Sequence, residues 1–259
     1  MIFDTHMHCG YSCDSHMQLA DAIRAGAAQN IGIIITEHWD YDYPTNPEAF
    51  LFDIDDYFKT AGSLRSDKVL LGIEIGMQKH IAAADDAVAA GHSFDYVLGS
   101  VHCINRRDMY EERCYTGLTK QQVVAEFLEE AMACITGHSN FDAFAHIDYM
   151  CRYWPYDDKE MRLEDAPELF DKFLQCLISH NKPIEINTRR LGSADAVAAL
   201  TPIYQRYGQL GGRYCTLGSD AHYEEHVGRR LDVALKIAGA AQLVPVYFKE
   251  RKMQLMGGF

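Results

Sequence analysis

Short runs of apolar, often β-branched residues recur along the chain, and their length and composition are typical of buried strands. Between these runs, apolar residues recur at helical spacing, and several such stretches follow a Ser, Thr, Asp or Asn that can cap a helix. The predicted strands are 1–6, 31–36, 69–75, 95–101, 141–147, 183–187 and 214–219. The predicted helices are 17–30, 53–65, 80–90, 119–136, 164–180, 195–209 and 228–239.

Strands and helices therefore alternate along the whole chain. Such alternation predicts parallel strands with helical crossovers, and seven or eight of these units close more naturally into a barrel than they remain an open sheet. A length of 259 residues is the usual size of one such barrel. The pattern predicts an α/β fold with a barrel that occupies residues 1–259 as a single domain.

Metal-binding side chains stand where the predicted strands end. Asp4-Thr5-His6-Met7-His8 closes the first run, and alternation along a strand turns both imidazoles to the same side. Later runs end in a similar way, at His38, Glu74, His102, His146, Asp148, Asp220 and His222. Because barrels of this type gather their chemistry at the carboxyl ends of the strands, we expect one polynuclear metal site there.

Each of these residues also has an ordinary structural interpretation. Asp4, Asp14 and Asp148 taken singly are typical of caps and turns, and a histidine that ends a buried strand often only hydrogen-bonds in the core. The metal interpretation is favoured by the whole set sharing one rim. The other histidines are predicted to lie on the surface or in the core, with His226 as the first exception to check, and they are His16, His80, His92, His138, His180 and His226.

The mixture of imidazole and carboxylate donors favours Zn, Mn or Fe over Ca or Mg. Glu74 lies between the histidine groups in sequence order, and a carboxylate there can bridge two cations. Two cations about 3.5–4 Å apart can activate a shared water and bind an ester oxygen. The free ring nitrogens of the histidines need partners of their own, for which Asp4 and Asp148 are the candidates.

Composition narrows the range of partners. A formal charge of -13 argues against a nucleic-acid groove, which needs clustered Lys and Arg, whereas bound cations would still attract a phosphate ester. No apolar stretch approaches the length of a membrane span, and Met1 leads directly into the first strand, so a cytoplasmic location is expected. The eight cysteines show no CxxC spacing and are expected to be reduced and mostly buried.

Three long irregular segments, 39–52, 103–118 and 149–163, are expected to serve a pocket. They are rich in aromatic and charged residues. The candidate wall residues are Tyr41, Tyr43, Arg106, Arg107, Arg152, Tyr153 and Trp154.

The strings at these positions, taken in order and separation, resemble those of the PHP (polymerase and histidinol phosphatase) superfamily, and within it the histidinol-phosphate phosphatases. The resemblance extends from residue 1 to about residue 250. It is carried by Asp4-Thr5-His6-Met7-His8, Ser12-Cys13-Asp14-Ser15, Thr36-Glu37-His38, Gly72-Ile73-Glu74, Gly99-Ser100-Val101-His102, Ala145-His146-Ile147-Asp148, Ile184-Glu185-Ile186-Asn187-Thr188 and Gly218-Ser219-Asp220-Ala221-His222.

The resemblance implies a distorted (β/α)7 barrel with three divalent metal ions. By position, it implies that the first metal is held by His6, His8, Glu74 and Asp220, the second by Glu74, His102 and His146, and the third by Asp14, His38 and His222. Some relatives carry a histidine where Asp14 stands.

The resemblance further implies that Arg152 helps to hold a phosphate and stabilises charge during its transfer. Asn187, Arg189 and Arg190 are additional candidates for substrate binding. Glu74, Asp220 and His222 are the other expected catalytic residues, with Asp220 or His222 delivering a proton to the leaving alkoxide.

The expected function is hydrolysis of L-histidinol phosphate in histidine biosynthesis. Glu185, Asp157 and Asp158 are candidates for an acidic pocket mouth that suits this cationic substrate. One alternative is a PHP phosphoesterase for another small monoester or for phosphotyrosine. A second is a metal-binding PHP module without catalysis, and an exonuclease is disfavoured because the chain lacks a basic track. The sequence does not indicate an oligomeric state.

Overall fold

The computed structural model describes residues 1–257. Residues 258 and 259, the end of the predicted domain, lie outside this range. The strands are β1 (Phe3–Asp4), β2 (Gly32–Trp39), β3 (Val69–Gly76), β4 (Tyr96–Ser100), β5 (Cys103–Ile104), β6 (Arg107–Asp108), β7 (Ala143–Phe144), β8 (Ile184–Asn187), β9 (Tyr214–Gly218), β10 (Val244–Lys249) and β11 (Lys252–Leu255). The helices are α1 (Leu19–Ala28), α2 (Ile54–Ala61), α3 (Ala82–Gly91), α4 (Lys120–Gly137), α5 (Pro167–Ser179), α6 (Ala194–Gln209) and α7 (Leu231–Ala240).

The predicted strands and helices are all present, and most of their ends differ by a few residues. The strands predicted at 1–6 and 141–147 are much shorter than expected, with two residues each in β1 and β7. Three of the helices begin at the kind of cap that the sequence predicted, because the side chains of Asp53, Thr119 and Ser193 accept a backbone N–H of the first turn. At Thr119 the Gln122 side chain returns a second hydrogen bond and completes a capping box.

The main sheet has the order β1-β2-β3-β4-β7-β8-β9-β10-β11, and every neighbouring pair except β10–β11 is parallel. The segments that follow β1 and β9 also meet: Thr5 N–H donates to Leu217 O at 2.8 Å, and Asp220 N–H donates to His6 O at 2.8 Å. The strands from β1 to β9 thus curve around so that the first and last lie side by side. The fold is a distorted parallel barrel surrounded by helices.

A C-terminal hairpin, β10–β11, was not predicted. Its two-residue turn, Glu250-Arg251, has positive φ at both residues (52° and 61°), the geometry of a type I′ turn. Tyr247 stacks on Phe3 at 3.9 Å between ring centroids, and Phe248 stacks on Tyr96 at 5.4 Å. Because Phe3 and Tyr96 are the first residues of β1 and β4, the hairpin covers the amino ends of these strands.

A hydrophobic core of buried residues extends from Phe3 to Met256. Within residues 1–257, no helix is both long enough and apolar enough to cross a membrane.

Candidate metal centre

Nine candidate donors converge at the carboxyl end of the barrel. They come from the ends of different strands or from the segments that follow them, as parallel strands dictate. Eight of the nine are buried, whereas the side chain of Asp14 keeps 44% of its surface exposed. The nine residues are His6, His8, Asp14, His38, Glu74, His102, His146, Asp220 and His222.

Glu74 lies at the middle of this group. Its Oε2 is 2.9 Å from His38 Nδ1, 3.4 Å from His6 Nε2 and 3.5 Å from His8 Nε2. Its Oε1 is 2.8 Å from His146 Nε2 and 3.5 Å from His102 Nε2. One carboxylate therefore faces five imidazoles, with its two oxygens directed at different sets.

Two aspartates complete the group on either side. Asp220 Oδ1 lies 3.5 Å from His8 Nε2 and 3.9 Å from His6 Nε2. Asp14 Oδ2 lies 3.1 Å from His222 Nε2 and 3.6 Å from His38 Nε2. The pairwise distances join the donors into one continuous cluster.

The donor spacing fits bound cations. A metal with ligands at 2.0–2.2 Å holds them roughly 3–3.5 Å apart in tetrahedral or octahedral arrangements. Among residues 1–257, four sets of three donors have their ligand atoms within 4.8 Å of one another. These sets are His6–His8–Glu74, His6–His146–Asp220, His38–Glu74–His102 and His8–His38–His222. Although imidazole nitrogens lie close to buried Glu74 Oε2, neither this atom nor His102 Nε2 makes a hydrogen bond of acceptable geometry within residues 1–257, as expected of metal ligands.

Three histidines are oriented through their other ring nitrogen. His6 Nδ1 lies 2.8 Å from Glu185 Oε1, and His102 Nδ1 lies 2.6 Å from Asp40 Oδ1. His8 Nδ1 lies 3.2 Å from Ser12 Oγ, whose hydroxyl donates to Glu37 at 2.5 Å. Each contact fixes the ring so that Nε2 points at the donor cluster.

The prediction that Asp4 and Asp148 serve as these partners is wrong. The carboxylate of Asp4 accepts the backbone N–H groups of Ser219 at 2.8 Å and Gly228 at 2.7 Å. Asp148 pairs with Arg190 at 3.0 Å. Asp4 therefore holds the segment that follows β9, and Asp148 holds the segment that follows β8.

Glu185 is buried, so its predicted place at the pocket mouth is also wrong. Its Oε2 accepts the backbone N–H of His146 at 2.8 Å and the Asn187 amide at 3.1 Å. A Cβ at Gly218 would stand 2.1 Å from Glu185 Oε1, so only glycine lets β9 approach this carboxylate. Two residues after Gly218, Asp220 has a φ of 53°, which turns the backbone beyond β9 toward the cluster.

The local charges keep the central carboxylates ionised. Burial acts to raise the pKa of Glu74, but the imidazoles of His6 and His38 outweigh it and hold that pKa well below its usual value. Burial also acts to raise the pKa of Asp220, but Arg152, Arg189, His6 and His8 together hold that pKa well below its usual value. Ionised carboxylates are the form that binds a cation.

A pocket opens onto the cluster. Arg152 lines it and donates to Asp220 Oδ2 at 2.6 Å, and Arg189 lines it 3.3 Å from Asp220 Oδ1. Asn187 and Arg190 are not among the lining residues. Asn187 hydrogen-bonds to Glu185 and to the Arg189 backbone, and Arg190 is paired with Asp148 and Glu160.

A family model described as PHP domain matches residues 4–189. The chain belongs to the PHP domain family.

Relatives of this PHP chain match it over nearly its whole length. A probable histidinol-phosphatase from Clostridium acetobutylicum is 44% identical over 254 residues, which is 98% of this chain and 99% of the relative. A histidinol-phosphatase from Lactococcus lactis subsp. lactis is 28% identical over 229 residues, which is 85% of this chain and 83% of the relative.

The fold also matches a solved structure. The crystal structure of histidinol phosphate phosphatase from Lactococcus lactis subsp. lactis, complexed with zinc, L-histidinol and phosphate, has a TM-score of 0.92 and 26% identity to this chain and covers 98% of each chain. This PHP domain therefore has the same fold as a phosphatase whose crystal structure contains zinc.

The pocket of the PHP domain differs in part from the predicted walls. Tyr43, Arg152 and Tyr153 line it as expected. Among the other candidates, Arg106 pairs with Asp42 and Arg107 with Glu126, Tyr41 is largely exposed, and Trp154 is buried in the core. Sequence reasoning missed Asp40, Phe50 and Tyr149 as lining residues, although all three lie in or beside the long segments.

The remaining histidines and cysteines lie outside the donor sets. His226 belongs to a short 3₁₀ turn, Glu224–His226, and His138 pairs with Asp85 at 3.0 Å. The predicted acidic residue Asp158 pairs with Lys120, and Asp157 is exposed. The eight cysteines are all free, and only Cys13 is exposed.

Proposed function

We propose that this chain is a metal-dependent phosphatase that hydrolyses L-histidinol phosphate to L-histidinol and phosphate. The observation that carries the proposal is Glu74, a buried carboxylate facing five imidazoles. Three of these imidazoles, His38, His102 and His146, line a pocket that also contains two arginines. The whole-length similarity to a probable histidinol-phosphatase supports the choice of substrate.

We further propose that the nine donors hold three divalent cations, with zinc favoured because the similar Lactococcus lactis structure contains it. The grouping by position stays as predicted: His6, His8, Glu74 and Asp220; Glu74, His102 and His146; Asp14, His38 and His222. When bound, the metals supply Lewis-acid polarisation of the phosphate and activation of the attacking water. The substrate's phosphorus–oxygen bond breaks, and the leaving alkoxide takes up a proton.

The chain's own residues bind and orient the ester. Arg152 and Arg189 present guanidinium groups to the pocket, where they stabilise negative charge that develops on the transferred phosphoryl group. Asp220 accepts a hydrogen bond from Arg152 at 2.6 Å, and His222 lies 3.5 Å from the same carboxylate. Both groups stay candidates for delivering the proton to the alkoxide.

We also propose that the whole chain forms one PHP domain, since the buried core includes residues from β1 to the segment beyond β11. A cytoplasmic location and the absence of a nucleic-acid partner stay predictions from the sequence.

The test is metal removal followed by reconstitution. Chelated protein should lose phosphatase activity, and added zinc or manganese should restore it as the bound metal approaches three ions per chain. Turnover of L-histidinol phosphate should exceed that of phosphotyrosine and of nucleotide monophosphates. Undiminished turnover by metal-free protein would contradict the metal mechanism, and a flat substrate profile would favour the alternative of a general phosphoesterase.

Arg152→Met tests the proposed phosphate clamp. Its kcat should fall by about 10²–10³ with metal content unchanged, because the lost interaction forms mainly in the transition state.

A further inference from the structure

Most arginines of this chain are paired with an acidic residue, but three are not. Within residues 1–257, Arg213, Arg229 and Arg230 form no salt bridge, whereas every other arginine forms at least one. Arg213 directly precedes β9, at the amino end of the barrel. Arg229 and Arg230 are consecutive and follow β9, so they place two uncompensated guanidinium groups side by side.

Two hydrogen bonds place this pair beside the pocket. The Thr188 hydroxyl donates to the backbone oxygen of Arg229 at 2.6 Å, and the Arg230 guanidinium donates to the backbone oxygen of Arg189 at 3.4 Å. Arg230 also lies against Gly192, where a Cβ would stand 2.3 Å from its Nη2. Because Arg189 lines the pocket, the segments that follow β8 and β9 form one continuous edge next to it.

The charges around His226 show that this edge is positive. Burial lowers the pKa of His226, and three guanidinium groups lower it further, those of Arg229, Arg189 and Arg230. Glu225 acts on the same imidazole in the opposite direction. The arginines outnumber this acid, and the low pKa keeps His226 itself neutral at pH 7 and above.

We propose that Arg229 and Arg230, the arginine patch, attract the phosphate group of the substrate from solution and guide it to Arg189 at the pocket. Arg229 is exposed and Arg230 is half-buried, so the patch acts through its electric field in water. This inference rests on the proposed function and adds how the substrate is captured.

The net charge of the chain makes such a patch useful. A phosphate monoester carries nearly two negative charges above its second pKa of about 6. A chain with a formal charge of -13 repels this anion, and a local positive patch offsets the repulsion where the substrate enters. Salt screens the effect, because the Debye length falls from about 30 Å at 0.01 M to about 3 Å at 1 M ionic strength.

The test measures turnover of L-histidinol phosphate by zinc-loaded protein at about pH 8, where the phosphate is a dianion, and at about 0.01 M and 1 M salt. The double variant Arg229→Gln, Arg230→Gln should have kcat/KM lowered about two- to fivefold at low salt, with kcat unchanged. The difference from wild type should disappear at high salt. Glu225→Gln should raise kcat/KM at low salt, because it removes the opposing charge.

Arg213→Gln is the matched control, since it removes an exposed, unpaired arginine at the opposite end of the barrel. It changes the net charge as Arg229→Gln does and should keep wild-type kcat/KM at both salt concentrations. Arg230→Lys keeps the positive charge and should also behave as wild type. If Arg230→Lys is as impaired as Arg230→Gln, the contact with Arg189 accounts for that loss, and Arg229→Gln against Arg213→Gln decides the proposal.

Calorimetric binding of inorganic phosphate gives a second readout that needs no turnover. The double variant should bind phosphate more weakly than wild type at low salt and equally well at high salt. A ratio of variant to wild-type kcat/KM that is the same at both salt concentrations, or an equal loss in Arg213→Gln and Arg229→Gln, would overturn the patch. Protein that shows the salt-dependent difference in phosphate binding but does not hydrolyse L-histidinol phosphate would instead refute the proposed function and leave the patch standing.

Discussion

The two ends of this barrel differ in the kind of side chain that they bury: polar metal donors at one end and apolar aromatic rings at the other. At the carboxyl end, eight buried donors, with the Glu74 carboxylate at their centre, form a cluster beneath an open pocket. At the amino end, the β10–β11 hairpin covers the starts of β1 and β4 with stacked aromatic rings, Tyr247 on Phe3 and Phe248 on Tyr96. At the carboxyl end, the burial of polar and charged groups is unfavourable unless they bind a ligand. At the amino end, the burial of apolar rings is favourable by itself.

This difference indicates a division of labour between function and stability. Changes at the carboxyl end should alter metal binding and turnover more than folding. Changes at the amino end should alter the free energy of unfolding and leave the metal site intact.

The largest effect should come from Glu74→Gln. An amide cannot bridge cations as a carboxylate does, so turnover should fall by roughly 10⁴-fold or more, a loss of about 5 kcal/mol. Turnover and zinc stoichiometry of the purified variant measure it, with circular dichroism as the control for folding. A variant that retains three metals and wild-type kcat would break the assignment of Glu74 as the centre.

Phe248→Ala tests the opposite end. Phe248 is buried, and removing its ring should lower the free energy of unfolding by about 3–5 kcal/mol through lost burial and a residual cavity. Urea unfolding measures the change, with exposed Leu255→Ala as the control on the same hairpin. Loss of zinc affinity in folded Phe248→Ala would show that the two ends are coupled.

Asp85→Asn tests a buried carboxylate away from both ends, where helix α3 meets His138. Burial raises the pKa of Asp85 from 3.8 to about 6. Between these values the folded state holds a proton that the unfolded state has lost, so the contribution of Asp85 to stability decreases as pH rises from about 4 to about 6.

Relative to wild type, Asp85→Asn should therefore become more stable over this range, by up to about 3 kcal/mol. Urea unfolding of both metal-free proteins at several pH values measures the difference. Parallel stability curves would contradict the raised pKa.

The smallest effect is expected from Glu185→Gln, which tests a residue that orients a metal donor at the carboxyl end. In Glu185→Gln, one of the two carboxylate oxygens is replaced by an NH₂ group. If the NH₂ takes the place of Oε2, it faces two donors, the His146 backbone N–H and the Asn187 amide. If it takes the place of Oε1, the side chain no longer accepts a hydrogen bond from His6. Zinc affinity should fall about 10–100-fold, or about 1.4–2.7 kcal/mol. Glu160→Gln, a buried carboxylate paired with Arg190, is the matched control and should keep wild-type zinc affinity.

Sequence reasoning located the donors better than their supports. A strand that ends in His or Glu is visible in the sequence, because period-two alternation and the rule for parallel barrels fix where its last side chains point. The partners of the second ring nitrogens are not visible in this way. Glu185 and Asp40 reach His6 and His102 across 179 and 62 residues, and Gly218 and Gly76 make the space for them.

The C-terminal hairpin shows the same limit at the other end. Its turn is Glu250-Arg251 and lacks the Asn-Gly signal of a type I′ turn, so no local pattern marks it. The turn is held from outside: Asp95 accepts the backbone N–H groups of both residues at 2.9 Å, and the Arg251 guanidinium donates to Asp142 at 2.6 Å.

The sequence by itself determined the alternation of strands and helices, the set of metal donors and the family resemblance, because each depends on local periodicity or on short motifs. Only the tertiary structure decided which carboxylates orient the histidines, which arginines reach the pocket and how the amino end is closed. These depend on contacts between residues far apart in the chain, and their geometry exists only once the barrel has brought the strands together.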